Sequence, residues 1–408
     1  MPNEISDKKY VLYFYCTLLK NSSAGVQTIY YMIDYFNRNN QEAYILYQNE
    51  TIGAQGYRKH EKNDNYLAPA LTEKILNDHI NQNYIPIAIY PDTVAGNPLG
   101  FENICRLLLY YDGVFTKKSC LKNAKNEGVV YFSELIKERA SAENVLYDEI
   151  VSYPVGNSLN LNYNIDNDNN DDRTEEYYYD GKFTSNFSGI IPDNIKKLKK
   201  IDRGLKESYS QEEIFKRLKS AKILHIFEDT ALIYEALLLG CPVNIHPKGY
   251  FYKNQPLGHN EVNLYGTISK YDVSDNDIAK ARKDLKNFYK EFNRWRKSGD
   301  LSLKRLKENF FKHKGGYNKK NVEKIKKNIR NSDKYFSELS NIASGKKESS
   351  IFGIVTIKLI NFLYYNYEIT QRQNFFGRKI FKFIGVSIFY HFLPTSIKRR
   401  ISITIKNK

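Results

Sequence analysis

Three consecutive polar residues, Glu228, Asp229 and Thr230, follow the apolar run at residues 223–227 without a spacer. The run predicts a buried strand, and the apolar spacing beyond Thr230 predicts a helix that leads into a second strand at residues 243–245. Ligands of open α/β sheets bind at the carboxyl ends of the strands, where these polar residues would lie. The first amides of a helix favour an anionic group such as a phosphate. The pattern therefore predicts a site for an anionic ligand.

Glu235 extends this pattern, because it lies about a turn and a half into the predicted helix. A carboxylate at that point can accept hydrogen bonds from both hydroxyls of a ribose, and the hydroxyl of Thr230 can reach the phosphate. The segment therefore indicates a nucleotide site. Glu228 and Asp229 have a simpler alternative role, since acidic residues often cap a helix or occupy its first turn.

The segment resembles the donor-site signature of retaining GT-B glycosyltransferases. That signature has two glutamates with an Ala-Leu or Gly-Leu step between them, followed by Glu-Ala, a small apolar run and Gly-x-Pro-Val. The matching residues are Thr230-Ala231-Leu232, Glu235-Ala236 and Gly240-Cys241-Pro242-Val243. Six residues separate Glu228 from Glu235, where the usual spacing is seven, so the match is stronger at Glu235. The resemblance implies a catalytic role for Glu228 and donor binding by Asp229, Thr230, Ala231 and Glu235.

Residues 1–150 alternate predicted strands with predicted helices, which favours a parallel sheet covered by helices on both faces. The predicted strands are residues 10–15, 43–47, 85–90 and 128–132, and the predicted helices are residues 28–38 and 101–111. With the β-α-β pattern of the donor segment, this alternation and the resemblance imply an α/β fold of the GT-B type. We expect two Rossmann-like domains that face a cleft, followed by a basic helical extension.

Two loops of this half follow predicted strands. Residues 23–26 resemble the glycine loop where GT-B enzymes let the sugar and pyrophosphate approach the backbone, which implies a donor contact at Gly25; a plain turn is the alternative. Residues 91–100 resemble a loop of some bacterial polysaccharide glycosyltransferases. In that loop Asp92 and Asn97 can orient acceptor hydroxyls, and Asp92 can serve as a catalytic base. Both residues are also common turn formers.

The second half begins with a predicted strand that runs into Asp180-Gly181-Lys182. This stretch resembles the first strand and loop of a GT-B donor domain, which implies that Lys182 meets the donor diphosphate; an isolated surface charge is the alternative. Further along, a helix is predicted at residues 211–219. Another is predicted at residues 274–297, with Ser274 as its N-cap and Asp277 in its first turn. A helix at this point crosses back to the first domain in GT-B proteins.

These segments predict the domain organisation. Residues 1–155 form the acceptor domain, 156–175 a flexible Asn/Asp-rich insert, 176–272 the donor domain, 273–350 the crossover and basic helices, and 351–408 a basic aromatic tail. The acidic side chains of the insert are of low complexity and lack the ordered spacing of a calcium loop. We therefore expect no metal site, and no cofactor, since a nucleotide-sugar is a substrate.

The four cysteines stand singly, with neither a Cys-x-x-Cys pair nor a histidine cluster beside them. This arrangement argues against a zinc site and favours a reducing compartment. The first residues are polar and charged, and no apolar core typical of a signal peptide follows them. We therefore expect a cytoplasmic protein.

The net charge of +16 is unevenly distributed. Residues 281–408 contain 31 Lys and Arg against nine Asp and Glu, whereas residues 1–280 have a small acidic excess. Such a concentration of positive charge indicates an anionic partner. No nucleic-acid-binding motif is present, so nucleic acid is not the expected partner.

The apolar stretches at residues 351–367 and 375–394 are interrupted or flanked by basic residues and are too short to span a bilayer. Short helices with Phe, Tyr and Lys predict an amphipathic anchor on an anionic membrane surface, through residues 351–408. Ordinary core helices packed on the first domain are the alternative. The anchor predicts a peripheral position on the cytoplasmic face of the inner membrane.

The resemblance implies transfer of a sugar from a nucleotide-sugar donor, with retention at the anomeric carbon and without a metal ion. The basic tail favours a lipid-linked glycan acceptor, and hence bacterial surface polysaccharide synthesis, such as capsule or O-antigen. Two alternatives stay open. One is a CDP-polyol phosphotransferase of similar fold, and the other is a non-catalytic, membrane-associated binding protein.

Overall fold

The computed structural model describes residues 8–19, 23–48, 66–140, 142–153, 173–203 and 209–343. The chain divides into a large unit and a second unit made of residues 53–58 and 334–408. Both sheets belong to the large unit. Most of the predicted flexible insert and the whole predicted membrane tail lie outside the described residues.

The described residues form two parallel sheets. The first contains β1 (Tyr10–Cys16), β2 (Ala43–Tyr47), β3 (Ile85–Pro91), β4 (Ile104–Leu108), β5 (Gly128–Tyr131) and β6 (Tyr147–Ile150). The second contains β7 (Glu175–Tyr179), β8 (Lys199–Lys200), β9 (Ala221–Glu228), β10 (Val243–Tyr250) and β11 (Thr267–Ile268). The helices are α1 (Ala24–Arg38), α2 (Glu73–Asn81), α3 (Glu134–Arg139), α4 (Gly181–Ser185), α5 (Asp193–Lys196), α6 (Gln211–Ser220), α7 (Leu232–Leu238), α8 (Asp275–Asn309) and α9 (Lys319–Ala343).

Both sheets reverse their strand order once, and this reversal creates a crevice. The first sheet has the order β2-β1-β3-β4-β5-β6, and the second has the order β11-β10-β9-β7-β8. The connection after β1 therefore leads to β2 on one side, whereas the connection after β3 leads to β4 on the other side. The connections after β7 and β9 diverge in the same way. Such switch points, at the carboxyl ends of the strands, are where ligands of open α/β sheets bind.

The first sheet is buried on both faces because its strands alternate apolar side chains toward two helix layers. Leu12 and Phe14 of β1 belong to a core cluster that includes side chains of α1 and of the end of α8. Val11 and Tyr13 point to the opposite face, in a cluster that includes side chains of α2 and α9. The predicted parallel sheet with helices on both faces is thus confirmed.

Helix α8 connects the cores of the two sheets. It begins with a capping box in which the Ser274 side chain accepts the Asp277 amide, as the sequence predicts, but it runs to Asn309. Phe292 and Trp295 pack in a cluster that contains side chains of both sheets, whereas Leu303 packs in the cluster formed with the first sheet. A single helix therefore ties both sheets together.

Two local predictions are wrong. Residues 101–111 were expected to form a helix, yet Ile104–Leu108 is the central strand β4. All five of its residues are buried, so the apolar run lacks the one-sided spacing that separates a helix from a buried strand. Helix α1 begins at Ala24, because the Ser23 hydroxyl caps it by accepting the Val26 amide at 3.4 Å. Gly25 therefore lies in a helical turn and not in a loop.

Candidate functional site

The turns after β7 and β9 meet at the switch point of the second sheet. The Lys182 ammonium nitrogen Nζ lies 2.7 Å from Oε2 of Glu228 and 3.3 Å from the backbone oxygen of Asp229. The Lys182 side chain is 27% exposed, whereas that of Glu228 is 0% exposed. The structure thus brings three of the predicted residues together, and the ammonium is the group that reaches solvent.

Gly181 allows the two turns to approach each other so closely. Its φ is +39°, and a Cβ at this position would lie 2.2 Å from Oε1 of Glu228. Any side chain here would push the Lys182 turn away from the Glu228 carboxylate. Burial raises the pKa of Glu228, while the Lys182 ammonium acts in the opposite direction.

Asp229 is buried and joins the turn after β9 to a later loop. Its Oδ1 accepts the Leu257 amide at 2.7 Å, and burial raises its pKa to about 7. Thr230 and Ala231 follow at the start of α7, where Oγ1 of Thr230 accepts the Leu232 amide at 3.3 Å. Since α7 has only seven residues, its dipole is small. Lys182 is therefore the stronger candidate for contact with an anion.

Glu235 of α7 forms a buried ion pair that no pattern in the sequence predicted. Its two carboxylate oxygens accept hydrogen bonds from Nη1 and Nη2 of Arg203 at 3.0 and 2.9 Å. The Glu235 side chain is 0% exposed and that of Arg203 is 6% exposed. In this arrangement a ribose would reach the carboxylate only after Arg203 moved, so the ribose contact stays a prediction. No local spacing in the sequence pairs Arg203 with Glu235, which lies 32 residues further along the chain.

Asp92 lies at the carboxyl end of β3 and is buried. Its Oδ2 has no hydrogen-bond partner among the described residues. Burial, reinforced by the negative charge of Asp112, raises the pKa of Asp92 to about 7. A carboxyl group with that pKa is suited to accept a proton near neutral pH.

Asn97 has a different role within the same loop. Its Oδ1 accepts the amides of Gly100 and Phe101 at 2.9 and 3.0 Å, and its amide group donates to the Phe101 backbone oxygen at 2.7 Å. These bonds fold the loop back on itself, which favours the turn-forming role. The position of Gly25 does not require a glycine, since an added Cβ would contact only Cδ1 of Leu109, at 3.5 Å.

The carboxyl ends of the two sheets face each other through a pair of tyrosines that follow β4. The Lys182 ammonium lies 5.2 Å from the centroid of the Tyr110 ring, and the Tyr111 hydroxyl donates to Oδ2 of Asp229 at 3.3 Å. The Arg139 guanidinium stacks 4.6 Å from the Tyr111 ring centroid. Both tyrosines were expected at the end of a helix, where nothing in the sequence marked them as site residues.

The loop after β10 also bridges the sheets. A carboxylate oxygen of Glu261 accepts the backbone amide of Glu134, the first residue of α3. Burial raises the pKa of Glu261 to about 7. Nearby, the indole nitrogen of Trp295 donates to Oγ of Ser152 at 2.9 Å. Both contacts fix the position of one sheet relative to the other.

Across the described ranges, no group of three or more His, Cys, Asp or Glu side chains is arranged to hold a metal ion. All four cysteines are free and buried. None of the helices in the described part of the chain is long and apolar enough to cross a bilayer.

No protein-family profile and no curated sequence matches the chain. Among solved structures it is similar to the spinosyn forosaminyltransferase SpnP, at 10% identity over 74% of this chain and 99% of that one, with a TM-score of 0.35. It is also similar to T4 phage BGT in complex with UDP and Mn²⁺, at 10% identity over 74% and 99%, with a TM-score of 0.36. A third is the calicheamicin glycosyltransferase CalG4, at 9% identity over 82% and 100%, with a TM-score of 0.29.

The fold is the predicted α/β arrangement of the GT-B type. Two parallel sheets, each with one switch point, face each other through their carboxyl ends, as the contacts of Lys182 and Tyr111 show. The roles of individual side chains rest on the geometry of this chain.

Proposed function

We propose that this protein transfers a sugar from a nucleotide-sugar donor to a glycan acceptor, with retention at the anomeric carbon and without a metal ion. The observation that carries the proposal is the partly exposed Lys182 ammonium, which lies at the switch point of the second sheet and faces Tyr110 of the first. Negative charge grows on the diphosphate as the glycosidic bond breaks. A fixed cation at that point stabilises the charge without reorganising.

Other residues have supporting roles in the proposed reaction. Glu228 holds the Lys182 ammonium in position, and Asp92 accepts the proton of the acceptor hydroxyl. Glu235 binds the ribose of the donor once Arg203 releases its carboxylate. A cleft between two sheets also excludes water from the donor, which limits its hydrolysis.

We further propose a lipid-linked acceptor and a peripheral position on the cytoplasmic face of the inner membrane, in surface polysaccharide synthesis. The support is the excess of Lys and Arg over residues 281–408 together with the aromatic, basic composition of residues 351–408. An enzyme held at an anionic leaflet would meet an acceptor that is confined to the same surface.

The test is a thermal-shift panel with UDP, GDP, ADP, CDP and CMP on wild type, Lys182→Gln and Lys182→Arg. A ligand at about 100 times its Kd stabilises a protein by about 2.7 kcal/mol, so binding is visible as a raised Tm. We expect one diphosphate to raise the Tm of wild type. Lys182→Gln should weaken its binding by roughly tenfold or more, because a hydrogen bond to a charged group contributes about 1.5–3 kcal/mol. Lys182→Arg should restore part of it.

The other outcomes favour the alternatives. A preference for CMP would favour the polyol phosphotransferase, because that reaction releases a monophosphate. No shift with any nucleotide would favour a non-catalytic binding protein. An equal shift for wild type and Lys182→Gln, with both variants folded by circular dichroism, would remove Lys182 from the donor site.

A further inference from the structure

The first sheet contains a cavity that the proposed sugar transfer does not use. Its volume is about 730 Å³, and it lies between the loop at residues 95–97 and the segment at residues 117–127. Arg106 of β4 lines it and connects its two walls, since Nη1 donates to the Gly96 backbone oxygen at 2.8 Å and Nε donates to Glu127 at 2.6 Å. The cavity is therefore formed by fixed loops.

The acidic groups around this cavity are already engaged. Arg106 binds both carboxylate oxygens of Glu127, at 2.6 and 3.2 Å. Asp112 accepts the Cys120 amide at 2.8 Å and the hydroxyl of Ser119. The guanidinium of Arg106 neutralises Glu127, whereas Asp112, which does not line the cavity, holds the segment in its turn through neutral donors.

Three lysines on the cavity wall, by contrast, lack an acidic partner within the part of the chain that the structure describes. Lys117, Lys118 and Lys122 line the cavity, and none forms an ion pair with any residue in the described ranges. Lys117 is held with a φ of +57°, and its amide donates to the Gly113 backbone oxygen at 2.9 Å. Like charges gathered on one concave wall attract an anion and concentrate it there.

We propose that this cavity binds a phosphate group carried by the glycan acceptor. A phosphate offers up to two negative charges and three terminal oxygens to the three ammonium groups, whereas a carboxylate offers one charge and two oxygens. Identifying the bearer as the acceptor rests on the proposed function. The position of the cavity segment supports this identification. Asp112 accepts the Cys120 amide of that segment and directly follows Tyr111, whose hydroxyl contacts Asp229 in the candidate donor site.

The experiment measures binding of inorganic phosphate to the full chain by isothermal titration calorimetry at constant ionic strength. The cavity variant is Lys117→Gln/Lys118→Gln/Lys122→Gln. Its charge-matched control is Lys74→Gln/Lys125→Gln/Lys219→Gln, at three exposed lysines that do not line the cavity. We expect the Kd for phosphate to rise at least tenfold in the cavity variant and to stay within about twofold of wild type in the control.

A second arm identifies the source of the phosphate. Glycerol 3-phosphate represents a soluble acceptor, and phosphatidylcholine vesicles containing polyprenyl phosphate represent a lipid-linked one. Loss of binding to either probe in the cavity variant alone supports the proposal. Equal losses in cavity and control variants would overturn it, as would the absence of phosphate binding to wild type.

Two further measurements separate this proposal from the proposed function. Lys182→Gln should keep its phosphate binding, and the cavity variant should keep the nucleotide-induced rise in Tm. If phosphate binding disappears in Lys182→Gln and persists in the cavity variant, the cavity is not the phosphate site. If no nucleotide binds but the cavity variant still loses phosphate, the cavity site stands and the sugar-transfer proposal fails.

Discussion

Asp92 is the residue whose chemistry depends most directly on its burial. The side chain is 5% exposed, and the neighbouring charge of Asp112 adds to the cost of ionising it. An ionised carboxylate that is buried in this way destabilises the folded chain, as is common for groups positioned for proton transfer. Stability and activity should therefore respond in opposite directions when this charge is removed.

We predict that Asp92→Asn removes part of the pH dependence of stability. The folded pKa of about 7 lies above the unfolded value of about 4, so the folded chain binds this proton more tightly. The stability linked to that proton is present below about pH 4 and is lost as the pH rises to about 7. Asp92→Asn should match the wild-type Tm at pH 4, exceed it at pH 8 and lose sugar transfer.

The measurement is the Tm of both proteins from pH 4 to pH 8, by calorimetry. Asp229 has a similar pKa of about 7, so a smaller pH dependence should remain in the variant. A variant that loses as much stability as wild type between pH 4 and pH 8 would contradict the assigned protonation of Asp92.

Among the elements, α8 is the helix that packs against both sheets. Gly299 lies where this helix crosses the end of the first sheet, and a Cβ there would lie 2.2 Å from Cδ2 of Tyr153 and 2.9 Å from the Ser152 backbone oxygen. The indole of Trp295, one turn earlier, donates to Ser152 as well. The backbone of α8 therefore packs directly against the backbone at the end of the first sheet.

Gly299→Ala tests this packing, because two effects predict opposite signs. Helix propensity alone predicts a gain of about 1 kcal/mol on replacing glycine by alanine. Overpacking against Tyr153 predicts a loss of about 1–3 kcal/mol. We expect the loss from overpacking to exceed the gain from helix propensity. The free energy of unfolding, measured in urea, should therefore be lower for Gly299→Ala than for wild type.

The control is Ser298→Ala at an exposed position of the same helix, which should change stability by no more than about 0.5 kcal/mol. If Gly299→Ala proves more stable than wild type, the close crossing of α8 over the strand end is wrong.

At the scale of the whole molecule, charge is separated along the chain. The excess of Lys and Arg over residues 281–408 begins within α8 and continues through α9, whose residues Lys319, Lys320 and Lys327 are exposed. Coulombic attraction to an anionic surface adds over many such groups and weakens with salt. The tail at residues 351–408 lies outside the described residues, so its role is tested by measuring membrane binding.

We predict that Arg378→Gln/Lys379→Gln/Lys382→Gln in the full chain weakens binding to anionic vesicles by at least about tenfold. Each basic residue near an anionic leaflet contributes about 1 kcal/mol, and the three together should exceed that factor. The measurement is co-sedimentation with phosphatidylglycerol vesicles at low and high salt. Binding equal to that of the Lys74, Lys125 and Lys219 control variant would favour the alternative of ordinary core helices.

The sequence alone determined those elements whose signals are local. The buried run before Glu228 became β9, the spacing after it became α7, and Ser274 with Asp277 began α8. Strand hydrophobicity and helix capping act within a few residues, so a single stretch of chain contains the whole signal. The same reasoning placed Lys182 and Glu228 at the carboxyl ends of two strands.

Only the tertiary structure decided which side chains meet. It assigned β4 where a helix was expected, paired Glu235 with Arg203, and brought Tyr111 to Asp229 from the other sheet. Each of these outcomes depends on burial or on a partner distant in sequence, and no local spacing encodes such a partner. The strand order of each sheet, which follows from packing the whole chain, is what placed Lys182 beside Glu228.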